Sequence, residues 1–431
     1  MKRSTVSVSV GALKLLLTAF VALVHGCSPR PWLSVAKTGS LTDLQRFVEV
    51  AASRHQFNES RVLQLAQVVA QREIATAADK GASDRLLGLQ ACASELYWPL
   101  EHRSKGKDDV AAAAALLLID AGLRDPTEGA VSHATSGEGA WRAVAIRSAV
   151  SPELRLLVYS ALIDADPRVR RAALRTILVE PLTSDGAALV EVARLDPDES
   201  IRQMALLAIG ETGDPNSLLA AHDLWDEMIE PSRLAFLQAL YAPASRARGG
   251  AQILARVMQS SDSLEGVVAA SLLCHEPPQT SQYAVGRLLR ALHQGTTSER
   301  LVALASLPPN EADVQTEIHQ MALKGAPYLR VASLELWLKS GRDLAVAQER
   351  IETIAASHDV DAFEASRILA LRGDLSSIFR LEGRLTAPLA EERIAVVRPL
   401  IRLKRWDAVA QALTDDHPAV RLATACNVLS E

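Results

Sequence analysis

The stretch Asp166-Pro167-Arg168-Val169-Arg170-Arg171-Ala172-Ala173-Leu174 decides the fold, because its pattern returns twice further along the chain. It reappears as Asp196-Pro197-Asp198-Glu199-Ser200-Ile201-Arg202-Gln203-Met204-Ala205-Leu206, and again as Asp416-His417-Pro418-Ala419-Val420-Arg421-Leu422-Ala423. Each copy opens on an acid and a proline, places an aliphatic residue before an Arg, and continues with small apolar residues at helical spacing. Proline suits the first turn of a helix, where its fixed φ fits and its missing N–H costs nothing. Self-similarity at a period of about 30 residues predicts stacked helical hairpins, since no single unit can bury its own apolar face.

With Val169 as anchor, comparable first-helix positions fall at Ile201, Leu234, Val267, Leu301, Leu329, Phe363, Ile394 and Val420, in steps of 26 to 34 residues. Pro327-Tyr328-Leu329-Arg330-Val331-Ala332 keeps the aliphatic-Arg pair, whereas Ser232-Arg233-Leu234-Ala235-Phe236-Leu237 keeps only the apolar period. Gly210 and Gly213-Asp214-Pro215 supply a helix stop and a fresh start. Composition agrees: of 431 residues 48% are hydrophobic but only 4% aromatic, so the core is assembled from many small contacts of Ala and Leu, the strongest helix formers. Segments 41–55, 59–74, 82–100 and 108–123 are also helical by their spacing of Leu, Val and Ala. They lack the Asp-Pro punctuation, so region 41–137 either extends the stack or forms a separate helical cap. The polar stretch 124–138 is the candidate boundary.

The units at 166–210 resemble the short type of HEAT repeat, with a proline ahead of Val-Arg and small residues down the first helix. The resemblance implies an all-α, right-handed α-solenoid (superhelix) of HEAT-like hairpins over 138–431. In that family the Arg after the aliphatic residue pairs with an acid in the inter-repeat turn and satisfies helix-terminal carbonyls. Asp164, Asp166, Asp196 and Asp198 are available here. The other reading of Arg170, Arg202, Arg330 and Arg421 is a basic ladder on the concave face that selects acidic ligands; the structural reading is preferred. Trp225 and Trp337 are the aromatic candidates for a binding face.

The amino terminus predicts an address. Lys2 and Arg3 precede the apolar run Leu15 to Val24, which is too short to span the ~30 Å hydrocarbon core of a bilayer. Val24-His25-Gly26-Cys27 resembles a bacterial lipoprotein cleavage box, His25 standing where a small residue is usual. The resemblance implies a signal peptide over 1–26, lipid on Cys27, a short tether over 27–40, and, from Ser28, an outer-membrane location in the cell envelope. Losing Lys2, Arg3 and Lys14, three cations and no acid, moves the formal charge from −5 to −8, which excludes nucleic acid as the partner. Cys92, Cys274 and Cys426, scattered through apolar helices, read as buried hydrophobes and not as a disulfide framework.

Chemistry-bearing motifs are sparse. Ser34-Val35-Ala36-Lys37 and Lys37-Thr38-Gly39 match two motifs of penicillin-recognising enzymes, but share one lysine where the enzymes need two separate elements of a cleft. No pair of His has the spacing for a metal on one helix face. No cofactor and no metal are expected.

The last helix, from about Pro418 to Leu429, is of the first-helix type and shows Val420, Leu422, Ala425, Val428 and Leu429, an apolar face that a solenoid must cap. It is expected either to fold across the preceding pair as a cap or to offer an edge for self-association. Together these features predict a lipid-anchored envelope scaffold that binds a protein partner and performs no reaction. The alternatives are an enzyme akin to the HEAT-repeat proteins that attach or detach bilin chromophores, and a structural brace of the envelope.

Overall fold

The computed structural model describes residues 31–78, 81–125, 138–276, 278–308, 312–341 and 343–431, and among these the ordered elements are helices without a strand. The signal segment 1–26, Cys27 and positions 126–137 of the expected boundary lie outside the described residues. No helix among the described residues is long and apolar enough to cross a membrane.

Sixteen helices carry the argument. Near the amino end are α1 (Pro31–Thr38), α2 (Leu41–Ser53), α3 (Glu59–Thr76), α4 (Tyr97–Arg103), α5 (Asp109–Asp120) and α6 (Gly139–Arg147). A row of first helices continues as α7 (Pro167–Val179), α8 (Glu199–Thr212), α9 (Glu230–Tyr241), α10 (Leu264–Leu273), α11 (Thr297–Ser306), α12 (Pro327–Ser340) and α13 (Ala362–Leu371). The carboxyl end adds α14 (Val397–Arg402), α15 (Trp406–Ala412) and α16 (Pro418–Leu429).

Local chemistry sets the boundaries. Asp166 accepts from the Arg168 amide with Pro167 in the first turn, Asp198 accepts from Ser200, and Asp108 accepts from Ala111, so orphan N–H groups are satisfied at each start. Gly213 ends α8 in the left-handed conformation at φ 60°, where a side chain is unfavourable. Within α8, a Cβ on Gly210 would stand 2.4 Å from the Ala239 carbonyl oxygen, so this glycine lets α8 and α9 approach closely.

Each first helix packs on the next, from α5 to α6 and so on through α13 and α14 to α16. The series does not stop there. α16 packs along α3, α3 touches α4, and α4 touches α5, which closes the contacts into a circuit. The cores follow this division: one cluster runs from Ala143 to Leu369, while a second combines Ala36 to Leu118 with Ala370 to Leu429. Both chain ends therefore belong to one core.

Several expectations are corrected. Val420, Leu422, Ala425, Val428 and Leu429 are all buried. That helix packs on the preceding α14 and α15, as a cap would, and α3 covers it from the other side. The expected tether is in part helix: α1 packs on α2 and α3, with Ala36 fully buried because it faces the second core. The Ser-x-x-Lys match lies on this helix and its Lys37 is exposed. Cys92 and Cys426 form a disulfide, Cα atoms 5.3 Å apart, contrary to their reading as isolated hydrophobes; closure of the circuit brings them together. Cys274 is buried, its Sγ against the carbonyls of Ser271 and Ser306.

Candidate functional site: arginine rungs and the joint between the chain ends

Arg170 shows what the recurrent Arg does. Its Nε and Nη2 donate to both carboxylate oxygens of Asp196 at 2.7 and 3.0 Å, and its Nη1 donates to the carbonyls of Asp164 and Ala165 at 2.8 and 3.3 Å. Asp196 in turn accepts from the Asp198 amide at 2.8 Å, fixing the turn that starts the next helix. One guanidinium thus closes its own turn and grips the next. Arg and acid are both buried here, and a paired bidentate geometry is what makes such burial tolerable. The pair and the neighbouring acids raise the affinity of Arg170 for its proton.

The same rung recurs at Arg393, which pairs with Asp415 at 2.8 and 3.0 Å and donates to the carbonyls of Ala387 and Pro388. Arg330 pairs with Asp361 through three contacts of 2.8 to 3.0 Å. Arg142 pairs with Asp164; burial opposes ionisation of that carboxyl, but Arg142 and the Asp166 amide hold it below the usual carboxylate range. Arg202 departs from the pattern, reaching Glu199 on its own helix and the Asp196 carbonyl at 2.6 Å. The side chains proposed as an acid-selecting ladder are thus engaged within the protein.

Rung geometry also corrects the register of weaker copies. Arg233 donates to the Trp225 carbonyl and Glu265, and Arg300 to the Gly295 and His293 carbonyls, so the residues equivalent to Val169 are Ser232 and Glu299. Likewise Glu392, ahead of Arg393, replaces Ile394. Leu234, Leu301 and Ile394 were expected there because they are apolar, yet none is fully buried. Polar anchors are tolerated because they have partners: Ser232 bonds Glu199, and Glu299 closes a capping box with Thr296. The rung members Arg142, Arg233, Arg300 and Arg393 have no aliphatic residue ahead of them, which hides them from the aliphatic-Arg pattern; the signal that marks them is an Arg in the first turn of its helix.

The final rung joins the ends. Arg421 pairs with Glu73 of α3 at 2.7 and 2.9 Å, while its Nη1 donates to the carbonyls of Asp415 and Asp416 at 2.6 and 2.9 Å. Around it, Gln45 of α2 donates to the Thr414 carbonyl and Asp416, and Asp407 of α15 accepts from the Phe57 amide and contacts His55. The Cys92–Cys426 bond lies at the same joint, against α16.

Neither tryptophan candidate lies open. Trp337 is 4% exposed and stacked on His319 with ring centres 3.9 Å apart. Trp225 is half-buried, edge-on to Phe236 and beneath the Arg233 guanidinium at 5.7 Å. The open apolar surface is elsewhere. Between the second helices Arg155–Ala161 and Gly186–Leu195 lies a groove of about 590 Å³, lined by Tyr159, Leu162, Ile163, Val192 and Leu195. Ile163 is 84% and Leu195 66% exposed. Among the described residues no group of three or more His, Cys, Asp or Glu is placed to hold a metal ion.

No protein-family model matches this chain, and no curated protein matches it in sequence.

Proposed function

We propose that the chain is an exported, lipid-anchored scaffold whose HEAT-like hairpins follow a right-handed superhelical path drawn into a closed stack. Its task is to hold a protein partner in the groove between Arg155–Ala161 and Gly186–Leu195. The observation that carries this reading is the exposure of Ile163 and Leu195 at the rim of that groove, with Leu162 and Val192 buried at its floor. Exposed apolar side chains gathered at a concavity mark a protein contact, because a lone surface leucine needs no explanation but a lined groove does. The occupant fitting it is an amphipathic segment that lays aliphatic side chains against Tyr159 and Leu195. Nearby Asp164 and Asp196 are held by Arg142 and Arg170, which leaves apolar contact as the attraction.

The Cys92–Cys426 bond supports export, since disulfides persist in oxidising compartments and thiols stay reduced in the cytosol. A cleavage box ending in Cys27 supports the lipid anchor and the envelope location.

The test is crosslinking and affinity capture from membranes of the native host, read by mass spectrometry. Wild type, the Ile163→Asp/Leu195→Asp double variant and Cys27→Ala are compared. A discrete protein captured by wild type, lost in the groove variant and diminished in Cys27→Ala is the expected result. Equal capture by the groove variant overturns the reading, as does an absence of any partner.

A further inference from the structure

Trp98, at the start of α4, is 78% exposed, with Tyr97 edge-on at a ring-centre distance of 5.2 Å. It lies on the wall of an open concavity of about 900 Å³, together with Thr76 and Ala77 at the end of α3 and His102, Arg103 and Lys105 of α4 and the turn after it. The acids of this segment are engaged: Asp108 by Arg103 at 2.8 Å, Asp109 by Arg168 at 2.8 Å and Glu101 by Lys105 at 3.8 Å. His102, Lys105 and Lys107 are exposed. An open indole among basic groups suits the headgroup level of a bilayer, where the ring is half in apolar and half in polar surroundings and cations meet lipid phosphates.

The anchor brings a bilayer to this end of the body. Four residue steps separate Cys27 from Pro31, a span of at most about 14 Å, and the eight residues of α1 add about 12 Å. α1 packs on α2 and α3, and α3 packs on α4. Leu41, where α2 begins, shares a cavity wall with Thr76 and Ala77, and those two residues line the concavity of Trp98 as well. We propose, in a reading that rests on the lipid anchor at Cys27, that the Trp98 face lies on the surface of an anionic phospholipid bilayer. The indole of Trp98 sits at headgroup level, and Lys105 and Lys107 meet the lipid phosphates. The short tether and this contact together fix how the body is turned on its membrane.

The full lipidated chain, purified and reconstituted into vesicles of brominated phosphatidylcholine with or without phosphatidylglycerol, tests this. Bromine quenches the fluorescence of an indole that enters the bilayer, so the difference between wild type and Trp98→Phe isolates Trp98. Wild type is expected to lose the larger share of its emission, more with phosphatidylglycerol than without, and to show slowed amide exchange over 97–107. Lys105→Glu/Lys107→Glu is expected to lose the gain that phosphatidylglycerol gives. Melting temperatures check the fold of each variant. Equal quenching of wild type and a folded Trp98→Phe overturns the proposal, as does a wild type indifferent to phosphatidylglycerol. Exchange over 97–107 that slows with protein concentration and not with vesicles assigns the face to a second copy and overturns it too. The mass of the amino-terminal peptide is read first. No lipid on Cys27 overturns the anchor and this proposal together, whereas a lipidated chain with an unquenched Trp98 overturns this proposal alone.

Discussion

Arg421 and Glu73 stand 348 residues apart in sequence, yet guanidinium and carboxylate meet at 2.7 and 2.9 Å. In the rungs of Arg393, Arg170 and Arg330 the acid lies 22, 26 and 31 residues ahead, in the turn that opens the next helix. For Arg421 the acceptor comes from α3, near the other end of the chain. Glu73 thus takes the place that an acid of the following turn has in the other rungs.

If that pair holds the joint, removing one partner exposes the cost of the other. Arg421→Ala is expected to destabilise by about 3 kcal/mol or more, because it leaves a carboxylate half-buried and two carbonyls without a donor. The double variant Arg421→Met/Glu73→Leu is expected to recover much of that loss. Urea unfolding of wild type, both single variants and the double variant gives the coupling; strict additivity would show that the two do not act as a pair.

The disulfide closes a loop whose ends are 334 residues apart, so its effect on the entropy of the unfolded chain is large, about 5–6 kcal/mol by the chain-entropy relation. Cys92→Ser/Cys426→Ser is expected to melt well below the oxidised wild type and to match reduced wild type. Scanning calorimetry with and without a thiol reductant decides it. No change on reduction would mean that packing and the polar contacts at the joint hold the ends without the disulfide.

Acid should act on the helix starts. Asp108 is held low by Arg103, Asp166 by Arg168, and Asp214 by Ser217, each below the ordinary aspartate value of 3.8. A carboxyl whose pKa is lower folded than unfolded contributes stability fully above the unfolded value and loses it as pH falls through the folded value. Stability is therefore expected to be steady with respect to these groups down to about pH 4 and to decline below it. Urea midpoints measured across that range, for wild type and Asp166→Asn, should show a shallower decline in the variant.

Gly210 is a packing constraint and not a flexible point. Its absent Cβ would fall 2.4 Å from the Ala239 oxygen and 2.6 Å from the Ala239 Cα, both backbone atoms that cannot rotate away. Gly210→Ala is expected to destabilise by about 1–3 kcal/mol despite its better helix propensity. Thermal melts of that variant beside Gly286→Ala, a helical glycine with open space around it, make the comparison.

Residue order alone yields the helices, their starts at Asp166 and Asp214, and the pairing of a recurrent Arg with turn acids, whereas the copy read from Asp196-Pro197 starts two residues later, at the N-cap Asp198. These are near-neighbour effects: apolar period, capping and a guanidinium that reaches one turn ahead act over a few tens of residues and leave a local pattern. In the weaker copies the register is hidden in the sequence because Ser232 and Glu299, each with a partner, stand where an apolar residue is expected.

Closure was decided by tertiary structure. Nothing near Glu73 marks it as the acceptor of Arg421, and nothing near Cys92 marks Cys426, because the partners lie 348 and 334 residues apart and meet only through the helix contacts between them. Packing between neighbours, as at Gly210 against Ala239, sets each step of that series, and α16 reaches α3 only when all of the steps are in place.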